Sequence, residues 1–305
     1  FMKKDKWTVI FIIIFIIGLS VMLYPTIADQ WNKLHQSRAI ADYENVVSDM
    51  KEEDFEKQWQ EAENYNKKIK TNTFSGDVFS QEEKNMRGTE YWSALNVGDN
   101  GIMGYVSIPQ IEQKIPIYHG TSDAVLQVGA GHIMGTRLPI GGEGNHSVLA
   151  AHRGLPSARL FTDIDQLKSG DKFYIHILDE VLAYQVDQIF PMIEKDDMEA
   201  LQDALKNEEG QDYVTLFTCT PYGVNSHRLL VRGHRVTYHG EDDESSTISE
   251  NMLQSVKDYY MLYAITAVAI SVLVALGTVL FKKKNNKAEN KSESKKQEKG
   301  EGNNL

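Results

Sequence analysis

Cysteine is nearly absent from this 305-residue chain; Cys219 is the only one. No intramolecular disulfide can therefore form. The cysteine and the nine histidines show no His-x-x-x-His or Cys-x-x-Cys spacing, which excludes the usual transition-metal sites. No self-similar period of about 20–50 residues occurs, so the chain is no solenoid. An excess of positive charge is missing too: 32 Lys and Arg face 43 Asp and Glu, a net charge of −11. Such an acidic chain excludes nucleic acid as a partner.

What is present is two long apolar runs. Trp7 to Tyr24 holds eighteen residues without a charge, just enough to span a bilayer, and Tyr259 to Phe281 spans more comfortably. Lys3, Lys4 and Lys6 precede the first run, and Lys282, Lys283 and Lys284 follow the second. Flanking positive charge stays on the cytoplasmic side. Both ends therefore point inward and residues 25–258 lie outside. Tyr24-Pro25-Thr26 is a poor match to a signal-peptide cleavage site, so the first run reads as a retained anchor. Residues 1–6 carry +2 and residues 282–305 carry +4, leaving −17 between them.

The pattern divides the chain further. Residues 1–6 are a cytoplasmic N-terminus, 7–24 a transmembrane helix and 25–70 a helical extension without Gly or Pro after Pro25. Within it, Trp31, Leu34, Ile40, Tyr43 and Val47 form one apolar stripe, and Phe55, Trp59, Ala62, Tyr65 and Ile69 a second. The charged break Lys51-Glu52-Glu53-Asp54 separates two amphipathic helices, whose stripes are packing faces. Residues 71–100 read as a loop region. Residues 101–240 form a mainly β domain, a sandwich or barrel with short helices. Its strands lie in "GIMGYVSIP", "QKIPIYHG", "HSVLAAH", a hairpin turning at Asp179-Glu180, "YVTLFTC" and "HRLLVRGHRVTYHG". Pro109 and Pro116 belong at strand ends or edges. "DMEALQDALKNEEG" is a short helix ended by Gly210. A linker over 241–258, a transmembrane helix over 259–281 and a Lys-rich disordered tail over 282–305 complete the chain.

A lone thiol outside the cell is exposed to oxidation, so Cys219 is either buried or used. It closes an apolar strand and opens the turn "TPYGVNSH"; Arg228 begins the next strand. Antiparallel pairing across that turn sets the two side by side. A guanidinium there favours the thiolate and offers donors to an oxyanion. Spacing alone leaves Arg228 equally a cross-strand surface arginine. A nucleophilic thiol wants a proton-transfer partner. His152 ends "SVLAAH" and enters a turn, as Cys219 does in its own strand. His227 would face away from Arg228's side. His132 and His146 fall in a glycine-rich stretch read as loop, and His119, His176, His234 and His239 read as ordinary strand or strand-end residues.

These residues resemble a known family. "TLFTC" fits the sortase signature Thr-Leu-x-Thr-Cys, and "TPYGVNSHRLLVRGHR", "GYVSIPQIEQKIPIYHGT" and "NHSVLAAHRG" resemble the class C, pilus-specific sortases of Gram-positive bacteria. The likeness covers about residues 100–240. It implies a sortase-type β-barrel over 101–240, preceded by the two-helix extension and flanked by two transmembrane helices. By the same likeness Cys219 is the nucleophile, His152 the general acid and base, and Arg228 the oxyanion or substrate stabiliser. The implied reaction cuts a Leu-Pro-x-Thr-Gly sorting signal between Thr and Gly and joins the acyl group to a lysine amine of the next pilin. Pilin subunits and the membrane would be its partners, with no cofactor and no metal. A housekeeping sortase attaching proteins to cell-wall precursor is a second reading. A non-catalytic wall or pilus protein is a third, though "SSTISENMLQSVKD" offers no sorting signal before the second run. Class C members carry an Asp-Pro-aromatic lid over the cysteine. Here Asp77-Val78-Phe79 keeps the acid and the aromatic, and valine replaces the proline. Asp77 is expected to pair with Arg228 and Phe79 to cover Cys219. Asp242-Asp243 is read as a pair of solvated charges rather than a calcium site.

Overall fold

The computed structural model describes residues 2–73, 79, 86–242 and the isolated positions 265, 268 and 272. Apart from those three positions, the second apolar run lies outside the described residues, as do the Lys-rich tail and Asp77. In chain order the elements are α1 (Met2–Ser48), α2 (Glu52–Lys68), α3 (Glu90–Ser93), β1 (Ile102–Ile108) and β2 (Gln113–His119). α4 (Asp123–Leu126), β3 (Ala130–His132), β4 (Asn145–Ala150), β5 (Lys172–Ile177) and β6 (Glu180–Glu194) follow. α5 (Met198–Ala204), β7 (Asp212–Thr220) and β8 (His227–Val236) end the series. The eight strands close into a barrel in the order β1-β2-β3-β4-β7-β8-β6-β5. Two neighbouring pairs, β2–β3 and β4–β7, are parallel; the rest are antiparallel.

Closure leaves each strand one face toward the barrel interior. Val106, Ile115, Ile117, Leu149, Ile175, Leu216 and Val231 fill it. β1 is buried along its whole length because its outer face is covered as well. α1 lies there, with Ile40 and Tyr43 against Ile102 and Tyr105. Gly104 lets β5 approach: a Cβ at that position would stand 2.2 Å from the His176 carbonyl oxygen.

α1 runs unbroken from the apolar segment to Ser48, long and apolar enough at its N-terminal part to cross a membrane. It passes through Pro25, where the bond to the Val21 carbonyl is lost but the helical path continues. Its lower half is tied to the barrel. Arg159 N donates to Asp29 Oδ1 (2.8 Å), Asn32 Nδ2 to Ser157 O (2.6 Å) and Gln36 Nε2 to Val128 O (3.0 Å). Tyr43 Oη donates to Met103 O (3.1 Å) and accepts from Leu178 N (2.7 Å), and burial pushes its hydroxyl pKa up. The single stripe expected on this helix splits. Ile40 and Tyr43 are buried, but Trp31 is 64% exposed. Between Leu34 and Ile40 the helix turns past a common face. α2 buries Ala62 and Asn66, and packs Phe55, Trp59 and Tyr65 on the core.

Other local expectations need correction. The 71–100 region contains α3, capped by Thr89 and carrying the buried Tyr91. Pro116 lies within β2, opposite Tyr105, where pairing with β3 has not yet begun. α5 ends at Ala204 rather than near Gly210, because the next carbonyls are taken. Asn72 Nδ2 donates to Leu205 O (2.9 Å) and His146 Nδ1 to Lys206 O (2.8 Å). Asp242 is 1% exposed, not solvated. It accepts from Ser107 Oγ (2.9 Å) and His176 Nε2 (2.8 Å). Burial pushes its carboxyl pKa up, and these bonds outweigh burial and hold it below the ordinary value.

Replacing Tyr43 by Phe should strand a buried Leu178 N–H and lower stability by about 1–3 kcal/mol. Denaturant unfolding of the detergent-solubilised chain reads this; an unchanged midpoint would show that the Tyr43 hydroxyl contributes nothing to the joint.

Candidate active site

Residues 215–235 form most of the β7–β8 hairpin, whose alternation sorts its side chains. Val214 and Leu216 point into the barrel. Phe217 points outward, into a second cluster with Ile133, Val148, Ala150, Leu201, Leu205 and Leu230. Cys219 shares that outer face, and its register partner is Arg228, as Phe217's is Leu230. Cys219 is 6% exposed and Arg228 2%. A buried guanidinium needs its donors satisfied. Arg228 Nη1 donates to Asn225 O (3.0 Å) and to His227 O (2.9 Å), which holds the hairpin loop against it.

β4 brings the histidine. It pairs parallel with β7, Val148 opposite Thr215 and Ala150 opposite Phe217. Ala151 N then donates to Phe217 O (3.2 Å), and Thr218 Oγ1 to Ala151 O (2.7 Å). Two residues past the last ladder pair, Ala150 with Phe217, the chain reaches His152, whose ring stacks with Phe79 as that of Phe217 does. The structure thus brings Cys219, Arg228 and His152 to one end of neighbouring strands. Burial pushes the His152 imidazole pKa down, and the Asp123 carboxylate partly offsets this.

Phe79 lies against His152, Phe217 and Arg228. Its ring stacks on His152 (centroids 5.7 Å apart) and on Phe217 (5.8 Å), and the Arg228 guanidinium carbon sits 5.3 Å from its centroid. The expected partner of Arg228, Asp77, is outside the described residues.

The histidines placed in a loop by sequence are strand residues with structural duties. His132 ends β3; its Nε2–H donates to Arg137 O (2.9 Å), and Tyr91 Oη lies 2.9 Å from Nδ1. His146 is in β4, and Thr215 Oγ1 donates to its Nε2 (2.8 Å). Burial lowers their pKa values to about 3 and about 4. Sequence reasoning also missed Arg153 and Thr220, which follow His152 and Cys219 directly. Arg153 Nη1 donates to Thr220 Oγ1 (3.0 Å). Their common offset could have been seen only once β4 and β7 were known to pair.

Two outcomes follow. Phe79→Ala should speed iodoacetamide alkylation of Cys219 about tenfold by opening the buried sulfur to solvent; an unchanged rate would remove Phe79 as a cover. His132 and His146 stay neutral in the fold but take protons near pH 6.5 once unfolded. Stability should thus fall as pH drops from about 6.5 toward about 4, each imidazole adding a slope of up to about 1.4 kcal/mol per pH unit. His146→Gln should make that fall shallower in urea unfolding at pH 7 and 4.5, and an identical slope would refute the assignment.

Comparison with known proteins agrees with this arrangement. The sortase-domain family profile matches residues 106–236. Sortase C1 of Streptococcus agalactiae is 48% identical, with TM-score 0.58, covering 66% of this chain and 100% of that one. A sortase C of Streptococcus pneumoniae, whose structure bears on catalysis and pilin substrate specificity, is 46% identical with TM-score 0.60, covering 66% and 97%. Sortase A of Bacillus anthracis is 30% identical over 135 residues, 44% of this chain. The chain spans about three fifths of the length of the curated relatives it matches, 60% and 61% for the first two. With its eight-stranded barrel and its likeness to sortase C structures, the chain belongs to the sortase family and is similar to its class C members.

Proposed function

We propose that this chain is a pilus-polymerising transpeptidase anchored in the membrane by two apolar helices, Trp7–Tyr24 and Tyr259–Phe281, with its barrel outside and both termini inside. The observation that supports the reaction is the pairing of Cys219 with Arg228 in the β7–β8 ladder, with His152 two residues past the end of the strand that pairs with β7. The pilin assignment is supported by the neighbours, one described for pilin substrate specificity and another as pilus-related.

The Cys219 thiolate attacks the Thr–Gly carbonyl carbon of a Leu-Pro-x-Thr-Gly-type signal, forming a C–S bond and a tetrahedral oxyanion. Arg228 stabilises that oxyanion or anchors the signal backbone. As the C–N bond breaks, His152 gives its proton to the glycine nitrogen, and a thioacyl enzyme remains. The amine of a lysine on the next pilin attacks it; His152 takes a proton from that amine, and the thiolate leaves. An isopeptide bond results.

The charges limit the rate. With ordinary pKa values, a thiolate beside an imidazolium is populated to about 1% near pH 7. Burial of His152 works against the charged imidazole, so the active pair is scarcer still. Arg228 beside the sulfur works the other way on the thiol. Phe79 serves as the aromatic part of a lid, stacked on His152 and under the Arg228 guanidinium. A signal peptide must displace Phe79 to reach the sulfur.

The test uses the full chain in detergent with a Leu-Pro-x-Thr-Gly peptide and intact-mass spectrometry. A thioacyl adduct is expected on Cys219, absent in Cys219→Ala and formed at least about a hundredfold more slowly in His152→Ala. Release of the adduct by a lysine-bearing pilin domain supports polymerisation. Release only by a cell-wall-precursor amine would reassign the enzyme to wall anchoring, and no adduct would overturn the reading.

A further inference from the structure

We propose that Arg153 is a positioning residue that sets the separation of the Cys219 sulfur and the His152 imidazole. The inference rests on the reading above that these two side chains react together. Its ground is where the β4–β7 ladder stops. Backbone pairing along these parallel strands ends with Ala150 opposite Phe217, followed by the Ala151 N to Phe217 O bond and the Thr218 hydroxyl on Ala151 O. Both functional side chains stand beyond that point. Nothing in the regular ladder holds the ends that carry them together.

Arg153 supplies the missing tie. Arg153 follows His152 and Thr220 follows Cys219, and past the last ladder pair these next two side chains meet. There Arg153 Nη1 donates to Thr220 Oγ1 at 3.0 Å. The rest of the guanidinium is fixed by the loop that follows. Nε donates to Thr162 O (3.2 Å), and Nη2 pairs with Asp165. The same loop returns to the histidine: Phe161 N donates to His152 O (3.2 Å), and Gly154 N to Thr162 Oγ1 (3.1 Å). Gly154 has φ +79°, and a Cβ there would stand 3.1 Å from the Tyr222 ring beyond Cys219. The turn after His152 and the turn after Cys219 are therefore packed against each other, with Arg153 as their hydrogen-bonded link. Its side chain is 11% exposed, and that of Asp165 is 44% exposed. An exposed partner of that kind contributes little by itself. The bond that reaches the other strand is the one to Thr220.

The experiment compares Arg153→Ala, Arg153→Lys, Thr220→Val and the double variant Arg153→Ala/Thr220→Val with the wild-type full chain in detergent. Two readouts are used: kcat and KM for signal-peptide cleavage, and the pH profile of Cys219 alkylation. Thr220→Val keeps the branched shape and removes only the acceptor. Arg153→Ala and Thr220→Val should each lower kcat about tenfold or more with KM nearly unchanged. The double variant should be no worse than the poorer single one, because both break one contact. Arg153→Lys should recover part of the loss. The alkylation profile should move to higher pH in both single variants, as the thiol loses its imidazole neighbour. Wild-type kcat and profile in Thr220→Val, or losses that multiply in the double variant, overturn the proposal. Failure of Arg153→Ala to fold leaves Thr220→Val to decide it. A wild-type chain that cleaves no signal peptide defeats the transpeptidase reading instead, and the alkylation profile then decides Arg153 alone.

Discussion

The site depends on one pairing, the parallel contact of β4 with β7. Antiparallel neighbours such as β7 and β8 need only a turn between them, so Cys219 and Arg228 meet by local chain reversal. His152 is brought to the Cys219 end of the sheet only because β4 and β7, far apart in the chain, run side by side. A shift of that register by one residue would turn His152 to the opposite face. Val148 and Ala150 guard against the shift. They lie in the outer cluster with Phe217, while Leu149 lies in the barrel interior, and a slip would exchange their environments.

The outer cluster also explains why reactive groups can be nearly buried on the outside of a barrel. α5 supplies Leu201 and Ala204, β6 supplies Phe190 and Ile193, and Phe79 comes from the segment before the barrel. Together they give the outer face of β4, β7 and β8 an apolar cover. Cys219 and Arg228 sit at its edge, nearly buried and paired across the β7–β8 ladder. Burial at the same edge disfavours the charged imidazole of His152.

Most strands were legible because their apolar alternation is regular, and the reactive positions stood out as strand ends followed by turns. β3 was not legible. It is three residues long, and its "AGH" carries no periodic signal. Asp242 was misread because a carboxylate in a charged stretch gives no sign that Ser107 and His176, distant in sequence, will bond to it. The end of α5 was hidden for the same reason: side chains of Asn72 and His146 capture the Leu205 and Lys206 carbonyls that follow it. Arg153 looked like any arginine in a turn until Thr220 arrived beside it. Local pattern shows what a segment becomes; partners supplied by long-range pairing stay hidden until the strands are assembled.

α1 joins the apolar run to the barrel without a hinge, and Asp29 and Asn32 grip the loop leading back to His152. Asp29 is five residues past Tyr24, so with the apolar run in the bilayer that grip lies only about 7.5 Å along the helix axis from its edge. A barrel gripped along a continuous helix from Asp29 to Tyr43 is held by a strut rather than by a slack tether.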